Sequence, residues 1–178
     1  TSQASNHVEE GEEEISQEEA KLLQIAEKMR LNTSIRKKVF VVMMSSRDLE
    51  DAFERLNRLA LKGHQEREIV RVLIECCGQE KEYNAFYAEL ASLLCDHNRQ
   101  FRTTLQFCFW DTFKKISSGN EDKRRIMNLA RLLSHLVIGF HLPLSVLKTI
   151  DISTMQSSMQ LFLSSFFMSL FHSDISED

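Results

Sequence analysis

Between Gln65 and Cys77 the chain reads QEREIVRVLIECC. Counted from Ile69, the apolar residues recur at positions i, i+3, i+4, i+7 and i+8, which places them on one face of an α-helix. Glu66 and Glu68 stand in the first turn, where negative charge stabilises the positive end of the helix dipole. This stretch therefore predicts an amphipathic helix that packs one face into a protein core.

Apolar residues with the same spacing continue on both sides of that helix. Further helices are predicted over residues 20–30, 34–44, 49–60, 83–94, 101–113, 126–140, 143–150 and 155–171. The 178 residues include only five Gly and one Pro, so tight turns are few and strand-rich folds are disfavoured. Helices joined by short loops predict an all-α fold of stacked antiparallel helix pairs, either an α-solenoid or a compact bundle.

Polar residues between the apolar stripes predict where the helices begin and end. The predicted N-terminal signals are three capping boxes, Ser16 with Glu19, Ser45 with Asp48 and Ser153 with Gln156, and a single cap at Asn120. Gly63 is predicted as the left-handed residue that ends one helix, and Gly78 as a break between two others.

Acidic residues are concentrated at both ends of the sequence. Residues 1–20 contain seven Glu and no base, and the last seven residues contain three acids. We interpret residues 1–15 as an acidic disordered linker, because a polar, aperiodic and charged segment cannot bury enough apolar surface to fold. Residues 16–172 are then the helical domain with a C-terminal helical extension, and residues 173–178 are an acidic tail.

Charges of opposite sign also separate within the predicted domain. Residues 47–96 contain eleven acids and seven bases, whereas residues 99–131 contain three acids and eight bases. A surface polarised in this way attracts partners of both signs. The alternative is that each charge only solvates the exposed face of its helix.

Residue patterns that support catalysis or metal binding do not occur in this sequence. Cys76 and Cys77 are adjacent on an apolar stripe and lack C-x-x-C spacing, so core packing is favoured over zinc binding. The six His include no H-E-x-x-H pair, and no glycine-rich phosphate-binding loop is present. We expect no enzyme activity, no catalytic residue, no metal or other cofactor and no small-molecule substrate.

The apolar run Leu161–Phe171 is far shorter than the roughly 20 residues that cross a membrane.

Two segments are candidates for binding a protein partner. Residues 79–84 form a polar loop with one aromatic residue between two predicted helices, a common position for recognition residues, although its side chains could equally serve only as caps. Residues 132–171 contain a single base, Lys148, and a single acid, Asp151. So uncharged a segment either closes the core, which the pattern favours, or offers an apolar docking face.

Several runs of residues carry a resemblance to a known family. They are IRKKVF at 35–40, MSSRD at 44–48, DAF at 51–53, QEREI at 65–69, VLIECC-x-QEK-x-YN-x-FY at 72–87 and QF-x-x-WD-x-F at 106–113. In this combination, residues 34–115 resemble the MA-three domain, a helical-repeat module of translation-initiation scaffolds of the 4G type and their relatives. Ala85 departs from the family pattern, which tends to have Pro there, and the resemblance fades after Ser117.

Within that family, the QF-x-x-WD-x-F run is more similar to nucleolar scaffolds than to the pre-mRNA splicing factor. Both combine a middle domain of initiation factor 4G with an MA-three domain. The resemblance implies a HEAT-like α-solenoid and a nuclear, nucleolar scaffold in small-subunit ribosome biogenesis and 18S rRNA processing. It further implies binding to pre-ribosomal proteins and to a DEAD-box RNA helicase of the initiation-factor 4A class. The contact residues implied by matching position are Asp48, Asp51, Gln65, Glu66, Glu68, Gln79, Glu80 and Tyr83.

Two other functions are consistent with the sequence. A pre-mRNA splicing factor has the same two-domain layout, so the chain could instead belong to a spliceosomal scaffold. The basic segment could also contact the RNA backbone through its phosphates. Its candidate residues are Arg99, Arg102, Lys114, Lys115, Lys123, Arg124, Arg125 and Arg131.

Overall fold

The computed structural model describes residues 17–172, and every regular element within that range is helical. After the helical residues 17–28 (α1) come α2 (Ser34–Met44), α3 (Leu49–Arg58), α4 (Glu66–Gln79), α5 (Phe86–His97), α6 (Gln100–Ser117), α7 (Lys123–Ile138) and α8 (Ser157–His172). Two 3₁₀ helices, Gly63–Gln65 and Leu144–Thr149, precede α4 and α8. The predicted all-α class is confirmed, while the predicted linker 1–15, the Ser16 capping box and the tail 173–178 lie outside these residues.

The chain divides into two compact units between Val72 and Leu73. In the first unit, α2 packs against α3. Its core consists of Ala26, Leu31, Val39, Phe40, Met43, Ala52, Leu56, Ile69, Val70 and Val72. The periodic apolar residues identified in the sequence therefore supply this core, and the bounds predicted for α2 agree with those observed.

In the second unit, α5 packs on α6 and α7, while α8 packs on α6 and α7. Phe109, Phe162 and Phe166 are the largest of its fully buried side chains. Cys76 and Cys77 are both buried, which confirms that they are core residues. The uncharged segment after residue 131 closes this core through Met159, Phe162 and Phe166, although parts of its surface remain exposed.

Ser45 does not cap α3 as predicted. It ends α2 instead, where its hydroxyl donates to the carbonyl of Val41 at 2.7 Å. Asp48 is the residue that caps α3, and its carboxylate accepts from the backbone N–H of Asp51 at 2.8 Å. The reason is geometric: Asp48 has the extended backbone that an N-cap requires and stands directly before the first helical residue.

The two glycine predictions need correction as well. Gly63 does have a left-handed φ of 58°, but it opens a 3₁₀ helix, and the left-handed residue that follows α3 is Ala60, with a φ of 47°. Gly78 does not interrupt a helix, because α4 continues to Gln79. It is a buried helical residue whose lack of a side chain serves tertiary packing.

The predicted caps of the last two long helices are also displaced. Asp122, not Asn120, caps α7, and its side chain accepts from the backbone N–H of Arg124 at 3.0 Å. Ser153 does not cap α8, because its backbone N–H donates to the Asp151 carboxylate at 2.9 Å in a turn that precedes the helix. The same turn leaves residue 155 outside α8.

Phe140 does not continue the apolar stripe of α7. The helix ends at Ile138, and Phe140 takes a left-handed φ of 57° with 88% of its surface exposed. In this conformation the backbone N–H groups of His141 and Leu142 both reach the carbonyl of Leu136, at 2.9 and 3.0 Å. Phe140 therefore occupies a C-terminal position that glycine usually fills.

We expect Phe140→Gly to raise the free energy of unfolding by about 0.5–1 kcal/mol. Glycine relieves about 1–2 kcal/mol of left-handed strain, and the greater entropy of glycine in the unfolded chain offsets part of that gain. Urea denaturation measures the change, with Phe140→Ala as the matched control because alanine removes the ring but retains the strained Cβ. Equal stabilities of the two variants would contradict the prediction, because the strain would then be no larger than the entropy cost of glycine.

Within residues 17–172, no helix has both the length and the apolar character needed to cross a membrane.

Candidate functional site

The predicted protein-binding residues of the first unit lie at the beginnings of α3 and α4. At α3, Asp48 is exposed, whereas Asp51 is engaged by its neighbours. Asp51 accepts from the backbone N–H of Arg47 at 3.0 Å and lies 3.7 Å from the Arg55 guanidinium. The hydrogen bond from Arg47 is the main reason that the pKa of Asp51 lies below its usual value. Asp51 therefore stays ionised, but part of its hydrogen-bonding capacity is used within the unit.

At the start of α4 the three predicted residues differ in how they face solvent. Gln65 is exposed and Glu66 is half-buried, whereas the Glu68 side chain is only 17% exposed. Glu68 pairs with Arg36 of α2 and, at 2.7 Å, with Arg71 of its own helix. Glu68 thus ties α4 to α2, which leaves Gln65 and Glu66 as the side chains open to a partner at this position.

In the second unit, the predicted residues lie at the end of α4 and in the loop that follows it. Gln79 is exposed and donates to Glu75 at 3.2 Å. The Glu80 carboxylate accepts a hydrogen bond from the Tyr87 hydroxyl at 2.8 Å. Glu80 therefore has one oxygen committed to the loop itself, whereas Gln79 remains at the surface.

Tyr83 lies in the same loop, half-buried beneath the side chain of Arg131. The Arg131 guanidinium stands 4.9 Å from the centre of the Tyr83 ring, in cation–π geometry. The Tyr83 hydroxyl is buried and has no hydrogen-bond partner within residues 17–172. Burial raises the pKa of Tyr83 to about 12, so the phenol is neutral at any physiological pH.

Asn128 of α7, which the sequence analysis did not identify, secures this loop. The Asn128 side chain is buried, and its amide donates to the carbonyls of Cys77 at 3.2 Å and Glu80 at 2.9 Å. These bonds anchor the last turn of α4 and the start of the loop to α7. The available signal was an Asn beside Leu129 and Ala130 on the apolar side of a helix, a position where a polar side chain must find partners.

Arg125 makes a second connection between α7 and α4. Its side chain is only 13% exposed and lies 2.9 Å from Glu75 and 3.1 Å from Glu121. A Cβ atom at Gly78 would lie 2.5 Å from the Arg125 Nη1, so only glycine leaves room for the guanidinium. Arg125, predicted to contact RNA, therefore serves as an internal tie in this structure.

The other predicted RNA-binding residues fall into groups along α6 and α7. Lys114 and Lys115 at the end of α6 and Lys123 and Arg124 at the start of α7 are all exposed and flank one short loop. Arg99 and Arg102 lie at the opposite end of α6, which is about 27 Å long. The structure thus brings four of the eight bases together.

The described residues also include side chains of the types that can bind metal ions, among them the cysteine thiols. No group of three or more His, Cys, Asp or Glu residues within 17–172 could hold a metal ion. Burial raises the pKa of the Cys77 thiol to about 12 and raises that of Cys76 as well. Both thiols are therefore protonated near neutral pH, and neither can act as a nucleophile or metal ligand without losing its proton. The features present are suited to binding.

Comparison with known proteins places these features in a family. Residues 35–143 match the family model described as the MA3 domain. The match includes α7 and therefore extends beyond Ser117, where the resemblance was expected to end. The chain is 46% identical over 144 residues to mouse "Nucleolar MIF4G domain-containing protein 1", an alignment that covers 81% of the chain and 17% of that protein.

Two further relatives show how far the similarity extends. "Suppressor of glycerol defect protein 1" from Schizosaccharomyces pombe is 39% identical over 154 residues, covering 83% of the chain and 20% of the relative. The human "Pre-mRNA-splicing factor CWC22 homolog" is 28% identical over 155 residues, covering 85% of the chain and 17% of the relative. The chain spans about a fifth or less of the length of these relatives. Because the family model matches more than half of its residues, the chain belongs to the MA3 domain family, which has a helical, HEAT-like repeat fold.

Proposed function

We propose that this chain is the MA3 module of a non-enzymatic nucleolar scaffold that acts in small-subunit ribosome biogenesis and 18S rRNA processing. The observation that carries the proposal is the 46% identity to a relative whose name places it in the nucleolus, against 28% for the relative named as a splicing factor.

We further propose that the module binds a DEAD-box RNA helicase of the initiation-factor 4A class. The eight residues predicted for this contact are acidic or polar, and in each unit some of them remain accessible. Asp48 and Glu66 present carboxylates in the first unit, and Gln79 is exposed in the second. The carboxylates of Asp48 and Glu66 would attract a basic helicase lobe and favour one state of its open–closed equilibrium.

The first experiment is an affinity purification from nuclear extract with the full 178-residue chain as bait, followed by mass spectrometry at moderate salt. We expect small-subunit processing factors together with a 4A-class helicase. Recovery of spliceosomal proteins in their place would contradict the nucleolar assignment and support the splicing alternative.

We expect Glu66→Lys to weaken the affinity for the purified helicase about three- to tenfold, because reversal of a half-exposed charge replaces attraction with repulsion. Glu66 is the better choice for this test than Glu68 or Glu80, whose carboxylates have partners within the protein. Isothermal titration calorimetry measures the affinity, and the weakening should diminish at high salt.

Glu54→Lys is the matched control for that substitution. Glu54 is an exposed glutamate on α3 that is not among the predicted contact residues, and its partner Arg58 lies on the same helix. The control should leave the affinity unchanged. Equal loss in both variants would show that the helicase responds only to net charge, and the Glu66 surface would then be wrong.

Contact with the RNA backbone is the second candidate, because the structure groups Lys114, Lys115, Lys123 and Arg124 around one loop. Binding to naked RNA through phosphates would fall steeply with salt concentration. A titration with a 20-nucleotide single-stranded RNA at two salt concentrations distinguishes the two functions. Tight, salt-sensitive binding that Lys114→Glu abolishes would favour RNA, and its absence would leave the scaffold proposal.

A further inference from the structure

A groove between α7 and α8 lies outside both sets of predicted binding residues except for Arg131. It encloses about 450 Å³. Its lining residues are Met127 and Arg131 of α7 and Ser164, Ser165, Met168, Ser169 and His172 of α8. The serines have small side chains and the methionines have long ones, so the lining of the groove is uneven in height.

The groove has apolar side chains that are exposed to solvent and do not belong to the buried core. Met127 is 46% exposed and Met168 is 57% exposed, while the inward side of α8 is already buried through Phe162 and Phe166. Methionine side chains are flexible and polarisable, and they are common on surfaces that bind apolar helix faces. These two residues are therefore suited to contact an apolar stripe on a partner.

The charged side chains of the two helices that form the groove are all basic. Neither α7 nor α8 contains a single Asp or Glu, whereas α7 contains three bases in its first turn and a fourth at Arg131. Arg131 is exposed and takes part in no salt bridge within residues 17–172. Its guanidinium is oriented by the ring of Tyr83 beneath it. A carboxylate on a partner would therefore meet an ordered cation that forms no ion pair with the described part of the chain.

The same features favour a protein helix over RNA as the occupant. Single-stranded RNA binds by stacking its bases on exposed aromatic rings, and no Phe, Tyr or Trp lines this groove, which leaves the His172 imidazole as the one ring among its lining residues. A third helix, by contrast, can insert its side chains between the ridges of two packed helices at an axis separation of about 8–10 Å.

We propose that the α7–α8 groove binds an acidic amphipathic helix of a partner protein. Apolar residues at positions i, i+3 or i+4, and i+7 of that helix contact Met127 and Met168, and a carboxylate beside the stripe pairs with Arg131. None of the residues that line this groove is among those proposed for the helicase, although Arg131 contacts Tyr83, and the proposal does not require the helicase function to be correct.

The test uses two synthetic 16-residue helical peptides with the same leucine stripe, one flanked by Glu and the other by Lys. Fluorescence anisotropy measures the binding of each labelled peptide to the full chain. We expect the Glu peptide to bind at least about tenfold more tightly than the Lys peptide, because only the former pairs with Arg131. Equal binding of both peptides would overturn the proposal, because it would show that the groove binds apolar helices without regard to their charge.

Variants of the chain then locate the site. Met168→Glu should weaken the affinity for the Glu peptide at least about tenfold, because it places a charge on the apolar wall of the groove. Arg131→Glu should reverse the preference toward the Lys peptide. Ile152→Glu is the matched control, since Ile152 is an exposed apolar residue outside the groove. Unaltered thermal unfolding of each variant ensures that loss of binding does not reflect loss of folding.

Three further results would contradict the proposal. The first is binding of the Glu peptide that survives Met168→Glu. The second is displacement of the peptide by a 12-nucleotide single-stranded RNA, which would assign Arg131 to nucleic acid. The third is concentration-dependent dimerisation in sedimentation equilibrium that Met168→Glu abolishes, which would make a second copy of the chain the occupant. Glu66→Lys should leave peptide binding unchanged, which separates this result from the helicase test.

Discussion

Replacement of Phe162 by alanine should lower the free energy of unfolding by about 3–5 kcal/mol, the usual effect of removing a fully buried aromatic ring. Phe162 has no exposed surface, and its ring packs edge-on against Phe113 of α6, with 5.3 Å between the ring centres. The substitution removes both this contact and the apolar filling between α8 and the rest of the second unit. Urea denaturation, followed by circular dichroism at 222 nm, measures the change.

Phe171→Ala is the matched control, because it makes the same chemical change in the same helix at a residue that is 64% exposed. Its effect should stay within about 0.5 kcal/mol. A loss below about 1 kcal/mol for Phe162→Ala would contradict the prediction and show that α8 is only loosely docked. The result bears on the limits of the folded unit, since α8 lies beyond the residues 35–143 that match the MA3 family.

The positions of the helices could be predicted from the sequence because hydrophobic periodicity is a local property. The bounds predicted for α2 agree with the structure, and the apolar face of α4 is buried as its spacing indicated. Helix ends were predicted less well. Several polar residues precede α3, α7 and α8, and the one that caps is the one whose backbone is extended at that point, as for Asp48 and Asp122.

The state of the candidate binding residues could not be predicted, because it depends on pairs that are distant in the sequence. Glu68 is engaged by Arg36, 32 residues earlier, and Glu75 by Arg125, 50 residues later. Gly78 looked like a helix break because the need for space beside Arg125 exists only in the folded chain. Charge and spacing identify which side chains are acidic, but the packing of the helices determines which of them remain available to a partner.

Asn128→Ala should lower the free energy of unfolding by about 2–4 kcal/mol. The substitution removes two hydrogen bonds and leaves the carbonyls of Cys77 and Glu80 without the donor that Asn128 supplies, each at a cost of about 1–3 kcal/mol where water cannot replace it. Urea denaturation measures the loss. The matched control is Gln79→Ala, which removes an exposed amide that bonds only to Glu75 in its own helix and should have little effect.

The same variant should loosen the loop after α4 more than the rest of the domain. Asn128 provides the hydrogen bonds that join the start of that loop to α7, so amide hydrogens of residues 80–84 should exchange faster in Asn128→Ala while those in the centre of α6 change only with global stability. Equal acceleration everywhere would show that Asn128 contributes general stability and does not order the loop. If the loop alone responds, Asn128 is a positioning residue for Glu80 and Tyr83, and helicase binding through them should weaken although Asn128 itself is buried.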